Sequence, residues 1–219
     1  KEDSSFDVAV LPAWRPDKAM NIEKADFTEY LAKLATASGT QIKDFASLKE
    51  ALRNRMDFFH NNGCLVSDHA LEFVYYSPAD ESEIEAILKK RLTGNTVTRE
   101  EELKFKTAFM LFAGREYHRL GWAMQLHFGC KRDNNSLSFR KLGPDTGYDC
   151  INNYAPSALA ADYLNALICT DQLPKTILYS LNPNDNAYID AILGCFQDSC
   201  AIGKMQHCSA WWFNDHKQG

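Results

Sequence analysis

The sequence has no excess of basic charge, no apolar run of membrane-spanning length and no paired-cysteine motif. Each absence removes a class of function. Its 24 Lys and Arg are outnumbered by 29 Asp and Glu among 219 residues, giving a formal charge of -5 at pH 7. No basic field is left to hold nucleic acid or anionic lipid. No apolar stretch approaches the ~18 to 20 residues of a membrane span. The opening Lys1-Glu2-Asp3-Ser4-Ser5 also lacks the charged-then-apolar layout of a secretory signal. The seven cysteines (Cys64, Cys130, Cys150, Cys169, Cys195, Cys200 and Cys208) are odd in number and scattered, and no two are spaced C-x-x-C. They predict reduced thiols, mostly in the core of a cytoplasmic protein. There is no internal repeat, low-complexity tract or linker, so residues 1–219 are expected to form one domain. A start without Met that runs at once into an apolar segment, and an end just past Trp211-Trp212-Phe213-Asn214-Asp215, read as a piece of a longer chain.

What is present is an alternation of apolar runs and helical periods. Phe6 to Trp14 is nearly continuously apolar and closes at Arg15-Pro16-Asp17, as a strand buried on both faces would. Asp26 with Glu29 predicts a capping box for a helix through Phe27, Tyr30, Leu31 and Leu34, which Gly39 can end. Ser47 with Glu50 predicts a second, running through Leu48, Leu52, Met56 and Phe59 to Asn61-Asn62-Gly63. Cys64 to Ser67 reads as a short strand ending at Asp68-His69. Helical patterns then cover about 82–92 and 98–120, the latter opened by a Thr98–Glu101 box. Trp122 to His127 is a third strand, followed by a long polar loop to Tyr154 and a helix through Leu159, Tyr163, Leu164 and Leu167. Thr176 to Leu181 is a fourth strand, Asn182-Pro183-Asn184-Asp185 opens a helix toward Phe196, and Lys204 to Cys208 is a fifth. Strands alternating with helices predict an α/β fold of parallel βα units. A doubly wound sheet and part of a (β/α)8 barrel both fit, whereas a complete barrel needs ~250 residues.

In such folds chemistry gathers just past the strand C-termini. There the sequence places Arg15 and Asp17, Asp68 and His69, His127 with Arg132, Asn182 with Asp185, and the run from Ser209 to Asp215. Guanidinium groups recognise carboxylates bidentately, while His and Asp ligate metals or move protons. Spacing alone leaves Arg15 as readily a surface ion-pair partner as an anion clamp. His127 closes a strand with no helix to cap, which favours a functional role. Asp68-His69 reads equally as a turn, and Trp211-Trp212 as ordinary packing. His60, His118, His207 and His216 are expected to be structural. From the residues alone, the result is an α/β protein with a site for a small anionic metabolite.

Five ordered motifs add a resemblance. They are Leu11-Pro12-Ala13-Trp14-Arg15-Pro16-Asp17-Lys18-Ala19-Met20-Asn21; Val66-Ser67-Asp68-His69; Trp122 to Gly129 running on through Arg132-Asp133-Asn134-Asn135 to Leu142-Gly143-Pro144-Asp145-Thr146-Gly147; Leu173 to Tyr179 with Leu181-Asn182-Pro183; and Trp211-Trp212-Phe213-Asn214-Asp215. Together they resemble the uronate isomerases (glucuronate isomerase) of the amidohydrolase superfamily, over essentially the whole chain. The resemblance implies part of a TIM-like (β/α)8 barrel, about strands three to seven. It also implies aldose–ketose isomerisation of D-glucuronate to D-fructuronate and of D-galacturonate to D-tagaturonate. By the same resemblance, Asp68 and His127 are expected to be catalytic, and Arg15, Arg132, Trp211 and Trp212 to bind the hexuronate. The intact protein is expected to use a divalent metal, zinc, and to form a homo-oligomer. The family's His-x-His and Asp-x-Arg ligand motifs have no counterpart here, so the metal ligands are expected outside this chain and the piece alone is expected to be inactive. Residues 133–139 vary the family's usual Asn-rich run. A metal-dependent hydrolase of the same superfamily and a non-catalytic fragment are the alternatives.

Overall fold

In a computed structural model of the chain, the structure describes residues 8–153 and 158–209. Its elements follow in order as α1 (Asp17–Met20), α2 (Phe27–Ser38), α3 (Phe45–Asn61), β1 (Val66–Ala70), α4 (Glu81–Leu92), α5 (Arg99–Leu120), β2 (Ala123–Phe128), β3 (Cys130–Lys131), α6 (Ser136–Leu142), β4 (Cys150–Ile151), α7 (Ala158–Ile168), β5 (Lys175–Ser180), a 3-10 turn (Pro183–Asp185), α8 (Asn186–Cys195) and β6 (Met205–His207). Strands separated by helices long enough to cross back pair in parallel. The main sheet accordingly runs β1-β2-β5-β6, every pair parallel.

Alternation along each strand divides the sheet into two faces. Ser67, His69, Met124, Leu126, Phe128, Thr176, Leu178 and Ser180 are buried. The apolar members of this set join a core cluster with Phe105, Phe109 and Met110 of α5 and Tyr163, Leu164 and Leu167 of α7. The alternate residues Asp68, Gln125, His127, Ile177 and Tyr179 are only partly buried. Asp68 is in register with Gln125, and His127 with Tyr179, which lines these side chains up on one face.

Local chemistry explains most boundaries. Thr98 accepts from the Glu101 N–H and Glu101 accepts from the Thr98 N–H, a reciprocal box that opens α5, and Gly121 ends it at φ 69°. Elsewhere the structure departs from the sequence expectations. The apolar segment expected as the first strand exposes Val8 (65%) and Val10 (81%). Among the described residues of that segment only Trp14 enters the ladder, its N–H reaching Val66 O at 3.0 Å and its carbonyl taking the Asp68 N–H at 2.8 Å. Phe6 and Asp7 lie outside the described residues. The helix assigned to a Ser47 start begins earlier, because Asp44 accepts from the Ser47 N–H while the Ser47 hydroxyl accepts from the Asp44 N–H. Asp26 makes no side-chain cap bond, and the Glu29 side chain accepts from Lys33 at 2.6 Å, so the expected box is absent. The long polar loop after β2 contains α6, capped by Asn135, and an antiparallel β3–β4 pair. Of the cysteines only Cys64 and Cys130 are buried, although all seven are free.

Candidate active site

The bridge at Trp14 delivers Arg15 to the end of β1, and the parallel register brings β2 beside it. Arg15 Nη1 stands 3.2 Å from Asp68 Oδ2, and His127 Nδ1 stands 2.7 Å from Asp68 Oδ1. One carboxylate is thus held between a guanidinium and an imidazole. Burial would raise the Asp68 carboxyl, but the His127 ring beside it and the charges of His127, Arg15 and His69 outweigh burial and hold it below the ordinary aspartate range. Asp68 is therefore ionised at neutral pH.

Tyr179, which sequence reasoning missed, completes the face. Its ring stacks on His127 at 4.0 Å between centroids and 15° between planes. Burial first, then the Cys208 thiol and the Asp68 charge, push its phenol up to about 12. The O–H stays protonated and donates to Gln125 Oε1 at 2.9 Å. Pairing His127 with Tyr179 in the strand register was the available signal, since residues opposite one another in a parallel pair share a face.

Asp68 and His69 are strand residues, not a turn. Their side chains therefore diverge. His69 is fully buried on the helix side, with Nδ1 2.8 Å from Asp17 Oδ1 and Nε2 2.8 Å from the Tyr117 hydroxyl of α5. The Ala70 N–H donates to Asp17 Oδ2 at 2.9 Å, and Arg15 Nε lies 3.4 Å from the same oxygen. Arg15 thus touches two carboxylates while remaining 54% exposed, which leaves guanidinium edge for a ligand.

Arg132 follows β3 and pairs with Asp149 at 2.6 Å and Asp145 at 3.1 Å. It lines a neighbouring cavity of about 420 Å³ with Ala70, Glu72, Arg99, Lys106 and Asn152, a lining that includes neither Asp68 nor His127. The structure therefore brings Arg15, Asp68 and His127 together and places Arg132 in a cavity whose lining includes none of those three. Trp211, Trp212 and His216 lie outside the described residues. His60 accepts from the Trp122 indole at 3.1 Å, His118 Nδ1 lies 3.3 Å from the Leu173 carbonyl, and His207 pairs with Asp190 at 2.7 Å, all outside the cluster. Asn182 is buried and tied to Asn153 and Asp185, a structural role at the head of α8.

Among the described residues no three His, Cys, Asp or Glu side chains gather closely enough to hold a metal ion. Both Asp68 oxygens are already engaged by His127 and Arg15. These residues do not by themselves constitute a metal site. Among the described residues, no helix is long and apolar enough to cross a membrane.

A parallel β/α sheet with guanidinium, carboxylate and imidazole gathered on one face defines a class: α/β proteins of parallel βα units that carry a polar site on the sheet. The comparisons narrow it. The glucuronate isomerase family profile matches residues 1–219, and the chain belongs to that family. The uronate isomerase of Lachnoclostridium phytofermentans is 64% identical over 218 residues, covering 100% of this chain and 47% of that protein. That of Lachnospira eligens is 61% identical over 219 residues, again covering 100% and 47%. The crystal structure of a uronate isomerase from Thermotoga maritima superposes with a TM-score of 0.85 at 31% identity, covering 94% of this chain and 44% of that one. The fold is that of parallel βα units of a TIM-like barrel. The chain spans about half the length of the curated relatives it matches.

Proposed function

We propose that the full-length protein carrying these residues is an isomerase of hexuronates, interconverting D-glucuronate with D-fructuronate and D-galacturonate with D-tagaturonate. The observation that carries the reading is the Arg15–Asp68–His127 cluster at the strand ends of a chain that matches the glucuronate isomerase family over its whole length. Aldose–ketose isomerisation moves a proton from C2 to C1 and a second from the O2 hydroxyl to the O1 carbonyl oxygen. Arg15, with Arg132 and the Trp211-Trp212 run, binds the sugar acid, the guanidinium groups meeting its carboxylate. His127, held by Asp68 and flattened against Tyr179, gives and takes the hydroxyl proton. Ionised Asp68 stabilises the imidazolium each time the ring carries the extra proton.

The full-length protein would hold a divalent metal, zinc, through residues outside this chain, and that metal would supply Lewis-acid chemistry there. The described residues of this chain supply no three-ligand group for it, and the proton steps above do not pass through it. Residues 1–219 form one unit of the barrel, in a cytoplasmic homo-oligomer. Assayed alone, the 219-residue chain is expected not to turn over uronates. The test is conversion of D-glucuronate by the metal-loaded full-length protein. Turnover that falls at least about 100-fold in Asp68→Asn and in His127→Gln supports the reading. A folded, metal-loaded protein that converts neither glucuronate nor galacturonate overturns it.

A further inference from the structure

The network behind the cluster is not used by the chemistry above, yet it ends on the cluster's cation. His69 is 0% exposed and makes two short contacts, to Asp17 Oδ1 and to the Tyr117 hydroxyl, each 2.8 Å. A carboxylate only accepts, so the His69 proton sits on Nδ1, directed at Asp17. Nε2 then accepts the Tyr117 O–H, whose burial keeps it protonated. Tyr117 is itself immobilised, 0% exposed and stacked on Trp122 at 6.0 Å. Asp17 spends its second oxygen on the Ala70 N–H and on Arg15 Nε. Fixed elements, α5 and β1, are thereby connected through one imidazole and one carboxylate to a guanidinium that is otherwise half exposed.

We propose that Tyr117, His69 and Asp17 form a positioning relay that holds the Arg15 guanidinium at the angle needed to meet the substrate carboxylate. Arg15 has four rotatable side-chain bonds and a solvent-facing head. Without Asp17 behind its Nε it samples other rotamers, and each binding event must reorder it. The relay acts on binding of the anionic end, remote from the hydroxyl proton transfers, so His69 and Tyr117 are positioning residues and not catalytic ones. This inference rests on the isomerase reading for its substrate, though not for its geometry.

The test compares His69→Leu, His69→Asn and Tyr117→Phe in the full-length protein. Leucine removes both contacts, asparagine keeps an N–H donor near the Nδ1 position, and phenylalanine removes only the hydroxyl. His69→Leu is expected to raise KM for D-glucuronate about tenfold with kcat within about twofold. His69→Asn is expected to recover most of that loss, and Tyr117→Phe to fall between them. An unchanged KM in His69→Leu, or kcat and KM falling together with no recovery in His69→Asn, overturns the relay. The Nε–H resonance of Arg15 in a 15N spectrum gives a second readout without turnover. It should move in His69→Leu and return in His69→Asn. A wild-type protein inactive on uronates defeats the isomerase reading while that resonance still decides the relay, and an unmoved resonance defeats the relay alone.

Discussion

Gly114 lies in the middle of α5, where glycine is intrinsically the poorest helix former short of proline. Replacing it by alanine would ordinarily stabilise an exposed helix by about 0.5–1 kcal/mol. Here the sign should reverse. An added Cβ would lie 2.8 Å from Leu167 Cδ1, 2.9 Å from the Tyr163 hydroxyl and 3.3 Å from Leu167 Cδ2. Neither neighbour is free to yield. Leu167 and Tyr163 are 0% exposed, and the Tyr163 hydroxyl donates to the Met110 carbonyl at 3.0 Å and lies 3.4 Å from Met124 Sδ. Overpacking of this kind costs about 1–3 kcal/mol, which at its middle value outweighs the propensity gain and leaves a net loss of about 1 kcal/mol. For a unit of this size that lowers the melting temperature by roughly 2–4 °C. Gly194 in α8 supplies the control, since a Cβ there meets nothing within 4 Å. Gly194→Ala should leave stability unchanged or raise it by up to about 1 kcal/mol. A double-mutant cycle sharpens the test. In a Leu167→Ala background the new methyl enters vacated space, and the cost of Gly114→Ala should shrink by at least about 0.5 kcal/mol. Calorimetry showing Gly114→Ala equal to or more stable than the parent would refute the close packing of α5 on α7.

Other consequences follow from the same contacts. Asp44→Ala removes the carboxylate that caps α3 and should cost about 1 kcal/mol in a denaturation series. Because Asp68 titrates below its ordinary value of ~3.9, its ionic contacts contribute full stability above that value and lose it as pH falls through the lowered one. NMR titration should therefore find the Asp68 carboxyl still ionised at a pH where exposed aspartates are half protonated, and Asp68→Asn should flatten the acid limb of the stability profile. Exposed Cys150, Cys169, Cys195 and Cys200 should react with a thiol reagent before unfolding. Buried Cys64, and Cys130 whose thiol burial pushes up to about 11, should react only after it.

Much of this architecture is legible in the residues because the signals are local. The Thr98–Glu101 box and Gly121 bracket α5 by chemistry confined to a single turn at each end. Where signals overlap, reading fails for identifiable reasons. Asp44 and Ser47 form a box three residues apart, and Ser47 and Glu50 offer the same spacing one turn later, so only the backbone shows which begins the helix. An apolar run cannot report whether anything packs on it, and Val8 and Val10 are exposed for want of such a partner among the described residues. At the site, position near the strand ends points to Asp68, His69 and His127 alike. It does not show that His69 turns into the core or that Tyr179 lies against His127, because both depend on which face of the sheet each side chain takes. That depends on β1 continuing to Ala70, and on a register that joins segments some fifty residues apart.

The most direct test of the account is turnover of D-glucuronate by the metal-loaded full-length protein beside its Asp68→Asn and His127→Gln variants, with folding checked by circular dichroism. The account predicts conversion to D-fructuronate by the parent and a drop of at least about 100-fold in both folded variants. Parent-like rates in either variant would contradict the assignment of the Arg15–Asp68–His127 cluster as the site of proton transfer.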